Sequence, residues 1–211
     1  MIIIGITGSI GMGKTTISSM LKTLKIPVFD SDKQVKEILE NDYLIIDKIY
    51  KLWPDTVILS KKQRKVDKLV LGNKIFTNFK NKTILEKMIH PKVQKARNEF
   101  LKNHNKSHIV GLDVPLLYET GTDKQCDYIF LVNTSKTIQR KRVLARENMT
   151  EEKFNLINSA QWSFAKKKKF KPIIINTSYG KLLSFILVLI NLLKILIYRI
   201  IRHDKGISSR Y

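Results

Sequence analysis

A three-layer α/β fold around a five-stranded parallel sheet is what the sequence predicts, and three observations predict it. Short apolar runs recur at 2–5, 26–29, 109–113, 128–132 and 172–176, most of them followed by stretches in which apolar residues recur at helical spacing. The first run passes through a glycine-rich turn straight into a helical pattern opened by Lys14 and Thr15. The second and third runs end in carboxylates, at Asp30 with Asp32 and at Asp113, and ligands in open α/β sheets bind beyond the carboxyl ends of the strands.

Gly8 to Thr15 fits G-x-x-x-x-G-K-[ST], the phosphate-cradling P-loop, so the α/β fold is expected to be P-loop NTPase-like. Gly8, Gly11 and Gly13 leave room for backbone N–H groups to turn inward. The anion then lies on a helix N-terminus, where orphan N–H groups and the helix dipole favour negative charge. Lys14 is expected to reach the β- and γ-phosphates, and the Thr15 hydroxyl to ligate Mg²⁺. Ile17, Met20, Leu21 and Leu24 then make residues 14–25 the helix that packs on the sheet.

The chain of 211 residues, 43% of them hydrophobic, is long enough for one good core with an inserted subdomain. The one cysteine, Cys126, excludes an internal disulfide and suits a reducing cytoplasm. The first apolar run stops at Gly5 with no basic region before it, so it is expected to be a strand and not a signal peptide. A net charge of +21 suits a nucleotide substrate. The lysines are spread along the whole chain and no nucleic-acid-binding motif accompanies the one dense cluster, Lys166 to Lys169, so no nucleic-acid partner is expected.

After the second run, one of Asp30 and Asp32 is expected to cap a helix starting near Lys33, leaving the other to accept a proton from an attacking hydroxyl or to orient Mg²⁺ through water. Residues 33–107 hold no strand of the parallel sheet and read as helices, with a turn at Trp53-Pro54-Asp55 and a further helix beginning at His90-Pro91. Some 75 residues far exceed an ordinary crossover, so this helical insertion is expected to hold an acceptor substrate. His90 reads first as a hydrogen-bonded structural residue.

Asp113 ends the third run in the manner of a Walker-B carboxylate, near Mg²⁺. Residues 135–147 form a helix on which Arg142 and Arg146, four apart, share a face suited to clamping phosphates, an ordinary solvated basic face being the alternative. Thr150, with Glu151 and Glu152 in the first turn, caps the next helix, and the stretch 135–171 resembles a mobile lid. The core is thus expected over 1–32, 108–134 and 172–203.

The last helix, from Lys181, is almost wholly apolar and about long enough to span a bilayer. Its polar residues Lys181, Ser184, Asn191, Lys194, Tyr198, Arg202 and Lys205 fall along one stripe, which predicts an amphipathic helix with a wide buried face. Lys194 at the centre of a span would cost about 3 kcal/mol. Core packing or self-association is therefore expected ahead of attachment to a membrane surface, with spanning last, and the chain is expected to be a monomer or weak homo-oligomer.

Taken together, residues 6–16, Val28-Phe-Asp-Ser-Asp32, Ile89-His-Pro91 and Asp113-Val-Pro-Leu-Leu-Tyr-Glu119 resemble dephospho-CoA kinase. The likeness continues through Gln139-Arg-Lys-Arg142, Arg146, Gln161 and Ile175-Asn176, in the family's order, to about residue 180. The resemblance implies ATP-dependent phosphorylation of the ribose 3′-hydroxyl of dephospho-CoA, with ATP and Mg²⁺ as cofactors. It implies that Gly8, Gly11, Met12, Gly13, Lys14, Thr15 and Thr16 bind ATP together with Arg142 and Arg146. By the same likeness, Asp32 is base or acceptor-orienting carboxylate, and His90 and Glu119 lie on the acceptor side. The family's usual Arg-Ala-Asp before the fifth strand is replaced by Lys169-Phe-Lys-Pro172, and its Ile-Asp-Asn by Ile175-Asn176-Thr177. Another nucleoside or small-molecule P-loop kinase is the nearest rival, and a basic, membrane-associated nucleotide-binding protein the rival of another class. A GTPase is disfavoured, because Phe76 stands where N-K-x-D requires Asp.

Overall fold

The computed structural model describes residues 1–60, 64–76 and 78–204, the side chains of 76 and 202–204 excepted. In chain order the elements are β1 (Ile2–Thr7), α1 (Lys14–Thr23), β2 (Val28–Asp30), α2 (Ser31–Asn41), α3 (Tyr43–Leu52), β3 (Val57–Leu59), β4 (Arg64–Val66), α4 (Lys68–Phe76) and α5 (Phe79–Asn103). Then follow β5 (Ile109–Asp113), β6 (Tyr128–Asn133), α6 (Lys136–Leu144), α7 (Glu151–Ser159), α8 (Phe164–Lys168), β7 (Ile173–Asn176) and α9 (Lys181–Asp204). The chain divides into two units, one of Met1–Phe29 with the chain from His104 onward, the other of Asp30–Asn103.

The first unit carries the sheet, in the order β2-β5-β1-β6-β7. β1 lies at its centre, parallel to β5 and β6, with Ile6 opposite Asp113 and Thr7 opposite Leu131. Every residue of β1 but Ile3 is buried, as expected of a strand covered on both faces. Ile2, Ile4 and Ile6 pack with Ile17 and Leu21 of α1 and with Val188 and Leu192 of α9. Each such fully buried aliphatic side chain contributes about 1.5–3 kcal/mol. On the other face a Cβ at Gly5 would lie 2.7 Å from Leu117 and 2.8 Å from the Cys126 sulfur, so glycine lets the segment after β5 close on the sheet.

The second unit has its own core, in which Ile38, Ile45, Ile46, Ile49, Trp53, Leu85 and Ile89 cluster. Asp30 caps α2, accepting from the Lys33 N–H at 2.9 Å, which leaves Asp32 exposed in the first turn. The helix begins at Ser31, two residues before the expected start. Asp42 caps α3 and pairs with Lys92 at 2.9 Å. Two findings correct the sequence reading. No helix begins at His90-Pro91: α5 runs through Pro91, which forfeits one backbone bond while Leu85 and Ile89 hold the helix in the core. The unit also contains an antiparallel hairpin, β3 with β4, whose three-residue strands are too short to show a period.

The terminal helix corrects a third expectation. Ser184, Val188, Leu192 and Ile195 are its buried face, whereas Leu183, Ile186, Ile190, Leu193 and Ile197 are exposed. The polar stripe is thus divided, with Ser184 inside and Lys181 and Lys194 outside. Ser184 donates to the Gly180 carbonyl and Asn191 to the Leu187 carbonyl, both at 2.7 Å, so each places a donor on the carbonyl four residues back. Lys205 lies outside the described residues, as does the side chain of Arg202.

Candidate active site

Seven helices open on a side-chain cap: α2 on Asp30, α3 on Asp42, α4 on Asp67, α5 on Asn78, α6 on Ser135, α7 on Thr150 and α8 on Ser163. α1 has none, because its N-cap is Gly13 in the left-handed region at φ 96°. A helix start without a capping oxygen offers its first N–H groups and its dipole to an anion. Gly11 is also left-handed, at φ 77°, and a Cβ there would lie 2.5 Å from a Val143 methyl of α6. Glycine at 11 therefore serves two ends, the turn itself and the close approach of α6. A Cβ at Gly8 would lie 2.6 Å from the Val132 carbonyl oxygen, so this glycine permits the loop to leave the sheet against β6.

The loop encloses a cavity of about 280 Å³ lined by Gly11, Gly13, Lys14, Thr15, Thr16, Arg142, Arg146, Thr177 and Lys181, among others. The four cations among these come from α1, from α6 and the turn after it, and from the start of α9. Arg142 is fixed in place, with Nη1 donating to Thr177 Oγ1 and Nη2 to the Thr177 carbonyl, both at 2.9 Å. The Thr177 hydroxyl donates in turn to the Met12 carbonyl at 2.8 Å. Met12 itself is buried, and its sulfur accepts from the Thr134 N–H at 3.3 Å. Its contribution to the loop is packing and a backbone carbonyl, while the cavity is lined by its neighbours.

A second set of bonds ties the loop to the α6–α8 segment. Gln139 of α6 donates to the Ile10 carbonyl at 2.8 Å, and the Ile10 N–H donates to Gln161 Oε1 at 2.9 Å. Farther along, Glu119 Oε1 accepts from the Trp162 N–H at 2.7 Å and from the buried Lys167 ammonium at 3.2 Å. Lys167 also donates to the Pro115 carbonyl. Burial lowers the Lys167 pKa from its ordinary value, Glu119 opposes that shift, and the Lys14 charge adds to it. Glu119 Oε2 and the Tyr118 hydroxyl are buried without a hydrogen-bond partner, and burial pushes the Tyr118 phenol up to about 12. Tyr118 lies in an aromatic cluster with Trp162 and Phe170.

Asp113, at the end of β5, is buried and accepts from Ser18 at 2.6 Å. Ser18 stands one turn of α1 beyond Thr15, so this carboxylate is held against the helix whose start lines the cavity. Among the described residues no three His, Cys, Asp or Glu side chains gather into a metal cage. Mg²⁺ in phosphate sites needs no such cage, since it is bound through one or two side chains, waters and the phosphates themselves, and the Thr15 hydroxyl in the cavity fits that role.

The structure thus brings together Gly11, Gly13, Lys14, Thr15, Thr16, Arg142 and Arg146. Asp32 and His90 belong to the other unit, where both are exposed on helices. Sequence reasoning missed Thr177, Lys181, Gln139, Gln161 and Lys167 as functional positions. Gln139 and Gln161 were visible only as parts of a resemblance, and no local pattern marks the others.

The model of the dephospho-CoA kinase family matches residues 2–182. Dephospho-CoA kinase of Rhodopseudomonas palustris (strain HaA2) is 36% identical over 182 residues, 85% of this chain and 88% of that protein. The Rhizobium etli enzyme of the same name is 38% identical over 182 residues, 85% of this chain and 87% of its own. Among solved structures, dephospho-CoA kinase from Campylobacter jejuni is 25% identical with a TM-score of 0.67, covering 92% of this chain and 96% of its own. TT1252 from Thermus thermophilus is 28% identical with a TM-score of 0.80, covering 92% of this chain and 97% of its own.

Proposed function

The chain belongs to the dephospho-CoA kinase family, transferases that phosphorylate dephospho-CoA with ATP in coenzyme A synthesis, and from that premise we propose how its own residues divide the work. The acceptor is the ribose 3′-hydroxyl. Its oxygen forms a bond to the γ-phosphorus as the bond from that phosphorus to the β,γ-bridging oxygen breaks, releasing ADP. The hydroxyl proton passes to Asp32 or to water.

Transfer of this kind depends on positioning and on neutralising charge more than on covalent chemistry. Lys14 and the α1 start hold the β- and γ-phosphates, Arg142 and Arg146 neutralise the charge that shifts toward ADP, and Thr16 completes the phosphate cup. Mg²⁺, when bound, would supply positive charge against the phosphates. Thr15 would hold it directly, with Asp113 behind through Ser18 and water. Asp32 orients the acceptor hydroxyl, His90 belongs to the helices that take the acceptor, and Glu119 supports the acceptor side from its pairing with Lys167. The α6–α8 segment acts as a lid over the nucleotide, and residues 30–103 act as the acceptor-binding insertion. The protein works in the cytoplasm as a monomer or weak homo-oligomer.

The observation that carries this reading is Arg142 anchored by Thr177 in the same cavity as Lys14 and Thr15. An ADP-release assay across a panel of acceptors tests it, with turnover expected only for dephospho-CoA. In the same assay Asp32→Asn is expected to lose orders of magnitude in kcat while ATP binding is retained. Near-normal turnover of that variant removes Asp32 from the chemistry.

A further inference from the structure

The exposed face of α9 is an apolar surface that runs along most of the helix. Leu183, Ile186, Ile190, Leu193, Ile197 and Ile200 follow one another at intervals of 3, 4, 3, 4 and 3, each between 40% and 61% exposed. That spacing keeps them on one stripe opposite Val188, Leu192 and Ile195, which are in the core. Singly exposed aliphatic side chains are ordinary, but a stripe running most of a 24-residue helix marks a surface built to be covered.

Two observations choose the cover. First, the chain carries a net charge of +21, with Lys194 exposed on the rim of the stripe, so an anionic surface is attracted and a second copy is repelled. Second, the opposite face is locked into the sheet core through Val188, Leu192 and Ile195, so the helix cannot leave the body to cross a bilayer. The remaining geometry is a helix lying in the plane of the headgroups with its outer face in the acyl boundary.

We infer that α9 docks this protein on anionic lipid bilayers, the stripe from Leu183 to Ile200 entering the interface and Lys194 on its rim meeting the headgroups. This does not depend on the assignment of the catalytic residues. The full chain is tested by flotation with phosphatidylcholine vesicles, with and without phosphatidylglycerol, at low and high salt, with light scattering in the absence of lipid. The chain is expected to float with the phosphatidylglycerol vesicles and to bind less as salt rises. Ile190→Ser with Ile197→Ser is expected to lower the bound-to-free ratio about tenfold or more while ADP release is unchanged. Ile186→Ser with Leu193→Ser, on the same stripe, is the second pair and keeps the test standing should the first pair fold poorly. The inference is overturned by failure to float with anionic vesicles at low salt, or by flotation that neither pair alters, which would make charge alone responsible. It is equally overturned by a dimer in lipid-free solution that either pair breaks.

Discussion

The phosphate cavity and the helical unit of residues 30–103 solve opposite problems with different materials. The cavity is made of backbone and of side chains anchored to backbone: Gly11 and Gly13 set its turns, Thr177 ties Arg142 to Met12, and Gln139 with Gln161 hold Ile10. The helical unit is made of apolar packing around Ile45, Ile46 and Ile49, with caps and ion pairs on its outside. Asp32 and His90 stand exposed on its helices. A triphosphate is the same in every enzyme that binds it, so its cradle can be fixed in the fold, whereas under the proposed function the acceptor would be met by side chains on the helical unit. Changes in the first region should therefore move activity and spare stability, and changes in the second region's supports should do the reverse.

The strongest way to break that comparison is Lys14→Met. It removes a cation from the cavity without opening the core, and kcat is expected to fall on the order of a thousandfold with the melting temperature nearly unchanged. Thermal unfolding of the variant beside its ADP-release rate checks both halves; a large loss of stability would show that the cavity is also a structural keystone.

A smaller effect sharpens the role of Thr177. Thr177→Val keeps the shape but removes the hydroxyl that links Arg142 to Met12, so kcat/KM for ATP is expected to drop about tenfold, roughly the worth of a hydrogen bond to a charged group. An unchanged value would mean that the Thr177 carbonyl alone suffices to place the guanidinium.

The mildest change lies in the other unit. Asp42→Ala removes a helix cap and the Lys92 partner and is expected to cost about 1 kcal/mol of stability at neutral pH, with ATP binding intact. The hydrogen bond from Lys92 holds the Asp42 carboxyl below its ordinary 3.8. Its contribution is therefore full above pH 3.8 and fades as pH falls through the lowered value. Urea titrations of both proteins from pH 7 downward should show the difference shrinking only in that acid range.

Much of the cavity was legible because glycine, lysine and threonine at fixed spacing encode a backbone shape directly. The caps were legible for the same local reason: Thr150 and one of the two aspartates after β2 announce helix starts. Thr177 and Lys181 were not, since they reach the loop from more than 160 residues away and nothing in their neighbours says so. The terminal helix shows the other limit. Periodicity located a polar stripe, but it could not say that Ser184 and Asn191 would each donate to the carbonyl four residues back, which frees an apolar stripe to face outward. Pro91 inside α5 is a third case, where packing on both sides outweighed one lost bond.

Both polar backbone groups of Ile10 are engaged by glutamines of the α6–α8 segment. That amide can trade its hydrogen with solvent only when Gln161 lets go, so its exchange rate would clock any opening of the lid proposed for this segment. Nucleotide that steadies the segment must slow this one signal, giving an internal gauge of closure that needs neither label nor turnover.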